Sequence, residues 1–156
     1  VAAHDPVHQV GGEIGLTNFA PYLMNRIMGR YNAGFREELA GLGLTTPKAR
    51  ALAVLSVMDA PLVGALAVYT VTEQSTLSRA LDQLQAEALI RRETDATDSR
   101  AVRVSITDTG RAVFADLWPH MHEAQERMFR DIPAAERQAF TATLQKMLVN
   151  IRKHEI

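Results

Sequence analysis

The side chains best suited to chemistry in this sequence form a short polar run that contains one arginine. The run comprises Gln74, Ser75, Thr76, Ser78 and Arg79. Short amide and hydroxyl side chains allow a helix to lie close to the edges of DNA bases, and an arginine can pair with guanine or hold a phosphate. We therefore predict that this run contacts DNA. Taken singly, its polar residues are also ordinary residues for the start of a helix.

A second candidate site lies in the polar segment 94–100, which has no large apolar side chain. Here Asp98 stands two positions before Arg100. An arginine at the tip of a hairpin can reach a minor groove, and a neighbouring carboxylate can brace its guanidinium. The plainer interpretation is a turn with a surface ion pair, which stabilises a fold little. We predict that both residues lie at the DNA.

Other kinds of site receive little support from the sequence. No Ser/His/Asp set and no glycine-rich phosphate loop can be assembled, and the absence of cysteine excludes thiolate metal sites and disulfides. His4 and His8 lie in a segment without periodicity, while His120 and His122 would point to different sides of a helix. We predict no enzymatic activity, no cofactor and no metal.

The polar run requires a helix to present it, and we predict that helix at residues 73–88. Its opposite face is apolar and carries Leu77, Ala80, Leu81, Leu84 and Ala88. A shorter helix at 62–69 precedes it, and Thr72 in the intervening turn is the expected N-cap. Val71 occupies a turn position where a left-handed backbone would favour glycine. Either the turn is right-handed or the two helices cross differently.

The segment after this helix is predicted to form a β-hairpin. Alternating and β-branched residues indicate strands at 89–93 and 101–106, joined by the polar segment 94–100. With another helix at about 45–58, these elements predict a winged helix-turn-helix lobe at residues 45–106.

Long amphipathic helices are predicted on both sides of this lobe. Apolar residues recur every three or four positions through residues 16–42, where Pro21 marks either a kink or the first turn. After the hairpin, Thr107 caps a helix in which Pro119 predicts a kink near Trp118. The apolar face of the first of these helices is wider than one domain needs, which indicates a partner chain.

The predicted fold is thus mainly α with a small β-wing. It consists of a flexible arm at 1–12, helical dimerisation regions at 13–44 and 107–156, and the winged lobe between them. The net charge of −1 gives no indication of nucleic acid, so the DNA prediction depends on where the arginines lie. Because no long apolar run or signal-peptide pattern occurs, we expect no membrane association and a cytoplasmic location.

The run STLSRALDQLQAEALIRRETDATDSRAVRVSITDTGR resembles the MarR (multiple antibiotic resistance regulator) family of bacterial transcription factors. The resemblance is carried by the Ser/Thr-x-Ser-Arg start, the Leu-Asp-x-Leu core, the Leu-Ile-x-Arg strand, the Asp98-Ser99-Arg100 wing and the Ile-Thr-x-x-Gly segment that ends at Gly110. The helical layout extends it to about residues 16–153.

The resemblance implies a homodimer whose terminal helices interlock and whose wings flank palindromic double-stranded DNA. It assigns DNA contact to Gln74, Ser75, Thr76, Ser78, Arg79, Asp98 and Arg100. It also implies release from DNA by a small aromatic effector in a cleft between the helical arms and the lobe. The side chains expected to line that cleft are Tyr22, Arg26, Met28, Tyr31 and Trp118, although an apolar stripe of this kind is more often core or dimer seam.

The function predicted from the sequence is a sequence-specific DNA-binding transcriptional regulator that acts as a homodimer on a palindromic operator. A repressor is favoured, and an activator is the other possible form of such a regulator. The alternative is a winged-helix module for protein–protein contact without specific DNA binding. A titration with random duplex at low salt would distinguish them, because a DNA reader binds non-specifically through phosphate contacts.

Overall fold

The computed structural model describes residues 16–155. Six helices and two strands follow one another in this part of the chain: α1 (Ala20–Gly41), α2 (Thr46–Val57), α3 (Val63–Thr70), α4 (Gln74–Ala86), β1 (Ile90–Thr94), β2 (Val102–Ile106), α5 (Asp108–Met128) and α6 (Ala134–Ile151). The fold is mainly α with a small β-hairpin, as predicted. The arm predicted at 1–12 lies outside the described residues, and the division into a lobe and dimerisation regions stays a prediction.

Helix α1 has Pro21 in its first turn and ends at Gly41, just before Gly43. Pro21 lies at the N-terminus of α1, where a missing amide hydrogen costs nothing. At the other end Gly43 adopts a left-handed backbone with φ of 70°, and the Leu44 amide donates to the Leu39 carbonyl at 3.0 Å. The chain thereby turns sharply from α1 into α2.

The core lies where the helices of the central lobe meet the hairpin, the C-terminal end of α1 and the first half of α5. Its fully buried residues are large aliphatic side chains at helical or strand spacing: Leu39, Leu52, Leu55, Leu66, Leu77, Leu81, Leu84, Ile90, Val104 and Leu117. The apolar face predicted for α4 is confirmed except at Ala88. The helix ends at Ala86, and Ala88 is an exposed residue with φ of 59° in the turn that leads into β1. Its place on the apolar face was therefore wrong.

The hairpin is antiparallel, and its register runs from Ile90 opposite Ile106 to Thr94 opposite Val102. A third segment extends the sheet, because Leu62 forms a bridge with Arg103 and the Val104 amide donates to the Pro61 carbonyl at 3.0 Å. Strand β2 is therefore held from both sides, by β1 and by the segment that leads into α3.

The joint between the hairpin and α5 depends on two residues of the Ile-Thr-x-x-Gly segment. The Thr107 hydroxyl accepts from the Gly110 amide at 3.0 Å, which confirms the predicted cap, and donates to the Ala88 carbonyl at 2.7 Å. Gly110 packs so tightly that a Cβ atom there would overlap the Leu89 carbonyl oxygen and lie 2.8 Å from Cγ1 of Ile106. This segment therefore fastens the hairpin to the long helix.

Helix α5 continues through Pro119 to Met128, and the kink predicted near Trp118 stays a prediction. None of the helices within residues 16–155 is long and apolar enough to cross a membrane.

Large apolar side chains remain exposed along α1 and α6. Helix α6 has no buried residue at all. The exposed apolar side chains on these two helices are Leu23, Ile27, Met28, Phe140, Leu144, Leu148, Val149 and Ile151. A single copy of the chain therefore leaves this surface uncovered.

Candidate nucleic-acid interface

Helix α4, hereafter the recognition helix, presents the predicted polar run on its outward side. Gln74, Ser75, Ser78 and Arg79 are exposed, and Thr76 is half-buried. Leu77 and Leu81 on the opposite side are buried and hold the helix against the core. Within residues 16–155 none of the five polar side chains takes part in a hydrogen bond or an ion pair, so their donors are free to meet a ligand.

The turn before the recognition helix is left-handed at Val71, which decides the question that the sequence left open. Val71 has φ of 51° and ψ of 48°, and its side chain is 81% exposed. Arg50 supports the turn from α2, since its Nη1 lies 3.5 Å from the carbonyl oxygens of both Thr70 and Val71. A β-branched residue is strained in this conformation, so the right-handed alternative was wrong and the turn carries local strain.

The start of the recognition helix differs from the prediction. Glu73, not Thr72, occupies the N-cap position, and no side chain accepts from the first-turn amides. The Thr72 hydroxyl donates instead to the Thr70 carbonyl at 3.1 Å, within the turn. The capping role predicted for Thr72 was therefore wrong, and the amides of the first turn remain available to an anion.

The tip of the wing, by which we mean β1, β2 and the loop between them, is organised by Asp95. One carboxylate oxygen of Asp95 accepts from the Thr97 hydroxyl at 2.6 Å, the Thr97 amide at 3.2 Å and the Asp98 amide at 3.1 Å. The other oxygen accepts from Arg103 Nε at 2.5 Å. The bond from the Thr97 hydroxyl and the bond from Arg103 hold the pKa of this carboxyl far below its usual range. This role of Asp95 was not predicted from the sequence, although an aspartate that opens a polar turn is a signal for it.

The predicted pair at the wing tip is in contact. Asp98 Oδ1 accepts from the Arg100 amide at 3.0 Å and from Arg100 Nε at 3.3 Å. The Arg100 side chain is 90% exposed, so this ion pair stabilises the fold little and mainly limits where the guanidinium points.

A groove of about 710 Å³ runs between the recognition helix and the wing. Gln74 and Ser78 line it from the helix, and Arg100 lines it from the wing. Two of the predicted DNA-binding regions therefore border one concave surface, although they are more than twenty residues apart in the sequence. Whether these residues bind DNA stays a prediction.

A buried lysine, Lys48, forms an ion pair at the C-terminus of the recognition helix. Lys48 on α2 is 4% exposed, and its Nζ lies 2.6 Å from Oε1 of Glu87, the C-cap residue of the helix. A buried ammonium group needs such a partner to offset its lost hydration. No local sequence pattern predicts this pair, because 39 positions separate the two residues.

Two of the predicted effector-binding residues lie apart from the others on α1. Arg26 donates to the Tyr22 hydroxyl at 3.3 Å, and its guanidinium lies 5.9 Å from the centre of the tyrosine ring. The helical rotation of about 100° per residue places Met28 about 160° around the helix from Arg26. Tyr22 and Arg26 therefore face away from Met28 and Tyr31 within one chain.

Tyr31 and Trp118, two other predicted cleft residues, belong to separate aromatic contacts. Tyr31 stacks on Phe35 at 5.8 Å, and burial raises the pKa of its phenol. Trp118 is half-exposed on α5, 6.2 Å from Phe114 and 6.0 Å from the ring of His122. No hydrogen bond, ion pair or ring contact within residues 16–155 joins Tyr22, Tyr31 and Trp118 to one another, so the effector site stays a prediction.

The two histidines of α5 have different neighbours. His120 Nδ1 lies 3.6 Å from Glu38, whereas His122 stacks on Trp118. No group of three or more metal-ligating side chains occurs among the residues that the structure describes. His4 and His8 lie outside those residues.

Comparisons with known proteins give a consistent result. The model of the MarR family matches residues 42–101. Among solved structures, the chain is similar to a MarR family transcriptional regulator from Silicibacter pomeroyi. The two chains are 61% identical, and the match covers 92% of this chain and 97% of the other with a TM-score of 0.86.

More distant relatives extend this likeness. The chain is 26% identical to Bordetella bronchiseptica BpsR, a protein whose DNA binding is regulated by 6-hydroxynicotinic acid; the match covers 82% of this chain and 97% of BpsR, with a TM-score of 0.72. It is also 29% identical over 93 residues to the HTH-type transcriptional regulator YwaE of Bacillus subtilis. That match covers 56% of this chain and 54% of YwaE, so it spans about half of each protein.

Proposed function

The chain belongs to the MarR family of transcriptional regulators, and on that premise we propose that it is a repressor that binds a palindromic DNA operator as a homodimer. The observation that carries this proposal is the recognition helix. It exposes an arginine and a set of amide and hydroxyl groups that have no partner within residues 16–155. Such unpaired donors on one helix face match the pattern of acceptors in a major groove.

The wing supplies the second DNA contact in this proposal. Arg100 borders the same groove as Gln74 and extends into solvent with 90% of its side chain exposed. With the recognition helix in the major groove, an arginine at this position can reach the adjacent minor groove. Asp98 restricts its orientation, which lowers the entropy lost when the contact forms.

The homodimer is supported by the uncovered apolar surface. Helix α6 buries none of its residues within one chain, and Phe140, Leu148 and Ile151 are each at least 45% exposed. A second copy that packs against α1 and α6 would cover these side chains. Because a two-fold dimer places two recognition helices side by side, the operator should be palindromic.

The effector part of the proposal is supported by BpsR, whose DNA binding responds to a small aromatic acid. We propose that a small aromatic effector binds between the helical arms and the lobe, near Tyr22, Arg26, Met28, Tyr31 or Trp118. The ligand would release DNA by favouring a dimer geometry in which the recognition helices no longer fit successive grooves. It can do so only in proportion to its preference for that geometry.

The test of DNA binding is a titration of Arg79→Ala against an operator obtained by selection. Loss of a bidentate contact lowers operator affinity by a factor of about ten or more. The matched control is Arg130→Ala, which removes another exposed arginine after the end of α5, outside the winged lobe. Equal affinities of Arg79→Ala and the wild type would remove the recognition helix from the interface.

The competing function, a winged-helix module for protein–protein contact, predicts a different outcome at low salt. A DNA-binding protein of this type binds random duplex with a dissociation constant of about 1–100 µM at moderate salt and more tightly at low salt. Absence of any binding to random duplex at low salt would favour the protein-binding module.

A further inference from the structure

Strand β1 is tied to the recognition helix by a side chain that the proposed DNA contacts do not use. The Arg92 Nη2 atom lies 2.7 Å from Oδ1 of Asp82, and Arg92 Nε donates to Oε1 of Gln85 at 2.5 Å. Asp82 and Gln85 are three residues apart, so they lie on neighbouring turns of the same helix face. One planar guanidinium therefore bridges the helix and the wing through two acceptors. We call these three residues the Arg92 clamp.

The position of the clamp decides what it can control. The recognition helix and β1 are already joined at one end by the tight turn through Ala88, and Ile90 anchors the base of the strand in the core. Arg92 lies two residues beyond Ile90, so its side chain leaves the same face of the strand. The clamp is thus a second point of attachment between helix and strand. It holds β1 against the recognition helix, while the Pro61–Leu62 segment holds β2 on its other side.

The exposure of the clamp separates this role from fold stability. The Arg92 side chain is 28% exposed and that of Asp82 is 62% exposed. Exposed ion pairs contribute little to global stability, whereas a guanidinium held by two acceptors has a well-defined orientation. Loss of the clamp should therefore leave the lobe folded while the wing samples a wider range of angles.

Two residues of the clamp also line the groove that the DNA would enter. Gln85 and Arg92 line this groove together with Gln74, Ser78 and Arg100. We propose that Arg92, through Asp82 and Gln85, is a positioning residue that sets the distance between the recognition helix and the wing tip, so that the helix and Arg100 engage DNA at the same time. This inference rests on the proposed DNA-binding function.

The charge of Asp82 provides a test whose sign distinguishes positioning from simple electrostatics. An unpaired carboxylate beside DNA repels phosphate, so its removal should strengthen binding. If Asp82 acts by holding Arg92, Asp82→Asn should weaken operator binding although it removes a negative charge. The two interpretations predict changes in opposite directions.

The experiment measures operator affinity for the wild type, Asp82→Asn, Arg92→Gln, Arg100→Ala and the Arg92→Gln/Arg100→Ala double variant. We expect Asp82→Asn and Arg92→Gln each to weaken operator binding about threefold or more. The fold-loss in affinity caused by Arg100→Ala should be at least about threefold smaller in the Arg92→Gln background than in the wild type, because the two residues are coupled. Arg91→Gln is the matched control, because Arg91 is an exposed neighbour on the opposite face of β1. The effects of Arg91→Gln and Arg100→Ala on the free energy of operator binding should be additive.

A second measurement does not depend on DNA. Hydrogen exchange of the free protein should be faster at the amides of residues 90–106 in Arg92→Gln and Asp82→Asn than in the wild type, and unchanged in α2 and α5. A merely structural role would instead raise exchange throughout the lobe and lower the melting temperature.

The outcomes separate this inference from the function on which it rests. Wild-type affinity or tighter binding in Asp82→Asn, with additive effects of Arg92→Gln and Arg100→Ala, would overturn the positioning role while DNA binding stands. If the wild-type protein bound no duplex, the proposed function would fail and the DNA role of Arg92 with it. The exchange data would then show whether the clamp orders the wing at all.

Discussion

Replacement of Val71 by asparagine is expected to stabilise the protein. Val71 adopts a left-handed backbone with φ of 51° and ψ of 48°, which costs an L-residue roughly 1–2 kcal/mol. Asparagine tolerates this region because its side chain can hydrogen-bond locally, and it avoids the extra entropy that glycine would lose on folding. The substitution should therefore relieve much of the strain in the turn before the recognition helix.

The loss of burial at this position is small. The Val71 side chain is 81% exposed, and full burial of a valine is worth about 1.5 kcal/mol, so the lost contacts cost about 0.3 kcal/mol. The expected net gain in the free energy of unfolding is about 1 kcal/mol. For a chain of this size that corresponds to a rise in melting temperature of about 2–4 °C.

The assay is thermal unfolding at fixed protein concentration, because dimerisation makes the melting temperature depend on concentration. The matched control is Val57→Asn, since Val57 is 83% exposed but lies at the end of α2 outside the set of positive-φ residues. That variant should change stability by less than about 0.5 kcal/mol. Equal melting temperatures for Val71→Asn and Val57→Asn would refute the assignment of strain to Val71.

Three further substitutions test other contacts. Gly110→Ala should destabilise the protein by about 3 kcal/mol or more in chemical denaturation, because its Cβ would overlap the Leu89 carbonyl oxygen; a loss below about 1 kcal/mol would contradict the packing at this joint. Asp95→Asn should loosen the wing and lower stability at neutral pH. Because the pKa of Asp95 is depressed in the folded state, its carboxylate stabilises the fold fully above the unfolded pKa of about 4. That stabilisation is lost as the pH falls through the folded pKa, so the free energies of unfolding of wild type and variant should converge in acid. A difference in stability that grows in acid would contradict this. Glu87→Gln should destabilise the protein more than Lys48→Met, because it leaves the buried ammonium without a counter-charge. In Lys48→Met the methionine fits the apolar site, and the half-exposed Glu87 carboxylate remains solvated. The reverse order of the two variants in urea unfolding would count against the role of this ion pair.

Local patterns in the sequence were sufficient to predict the elements of the fold. Helical periodicity gave the long helices, alternation gave the strands within one residue, and Thr107 was correctly identified as a cap. These features depend on residues a few positions apart, so they are visible without knowledge of the tertiary structure. The same holds for the ion pair of Asp98 and Arg100.

Features that depend on tertiary closure were missed or left open. The left-handed conformations of Val71 and Ala88 arise because the chain must turn between packed elements, and neither residue type favours that conformation. The Lys48 pair joins distant parts of the chain, and the Arg92 clamp joins a strand to a helix face whose orientation the sequence alone does not give. Asp95 was visible as a turn residue, but its bond to Arg103 needed the strand register.

The most direct test of the proposed function is selection of bound duplexes from a random pool by the full chain. The proposal predicts enrichment of an inverted repeat whose half-sites are about 10–10.5 base pairs apart, centre to centre, or a multiple of that distance. It also predicts that Arg79→Ala retains weak random-duplex binding but loses the enrichment. A pool that remains random after repeated rounds with the wild-type protein would contradict sequence-specific DNA binding.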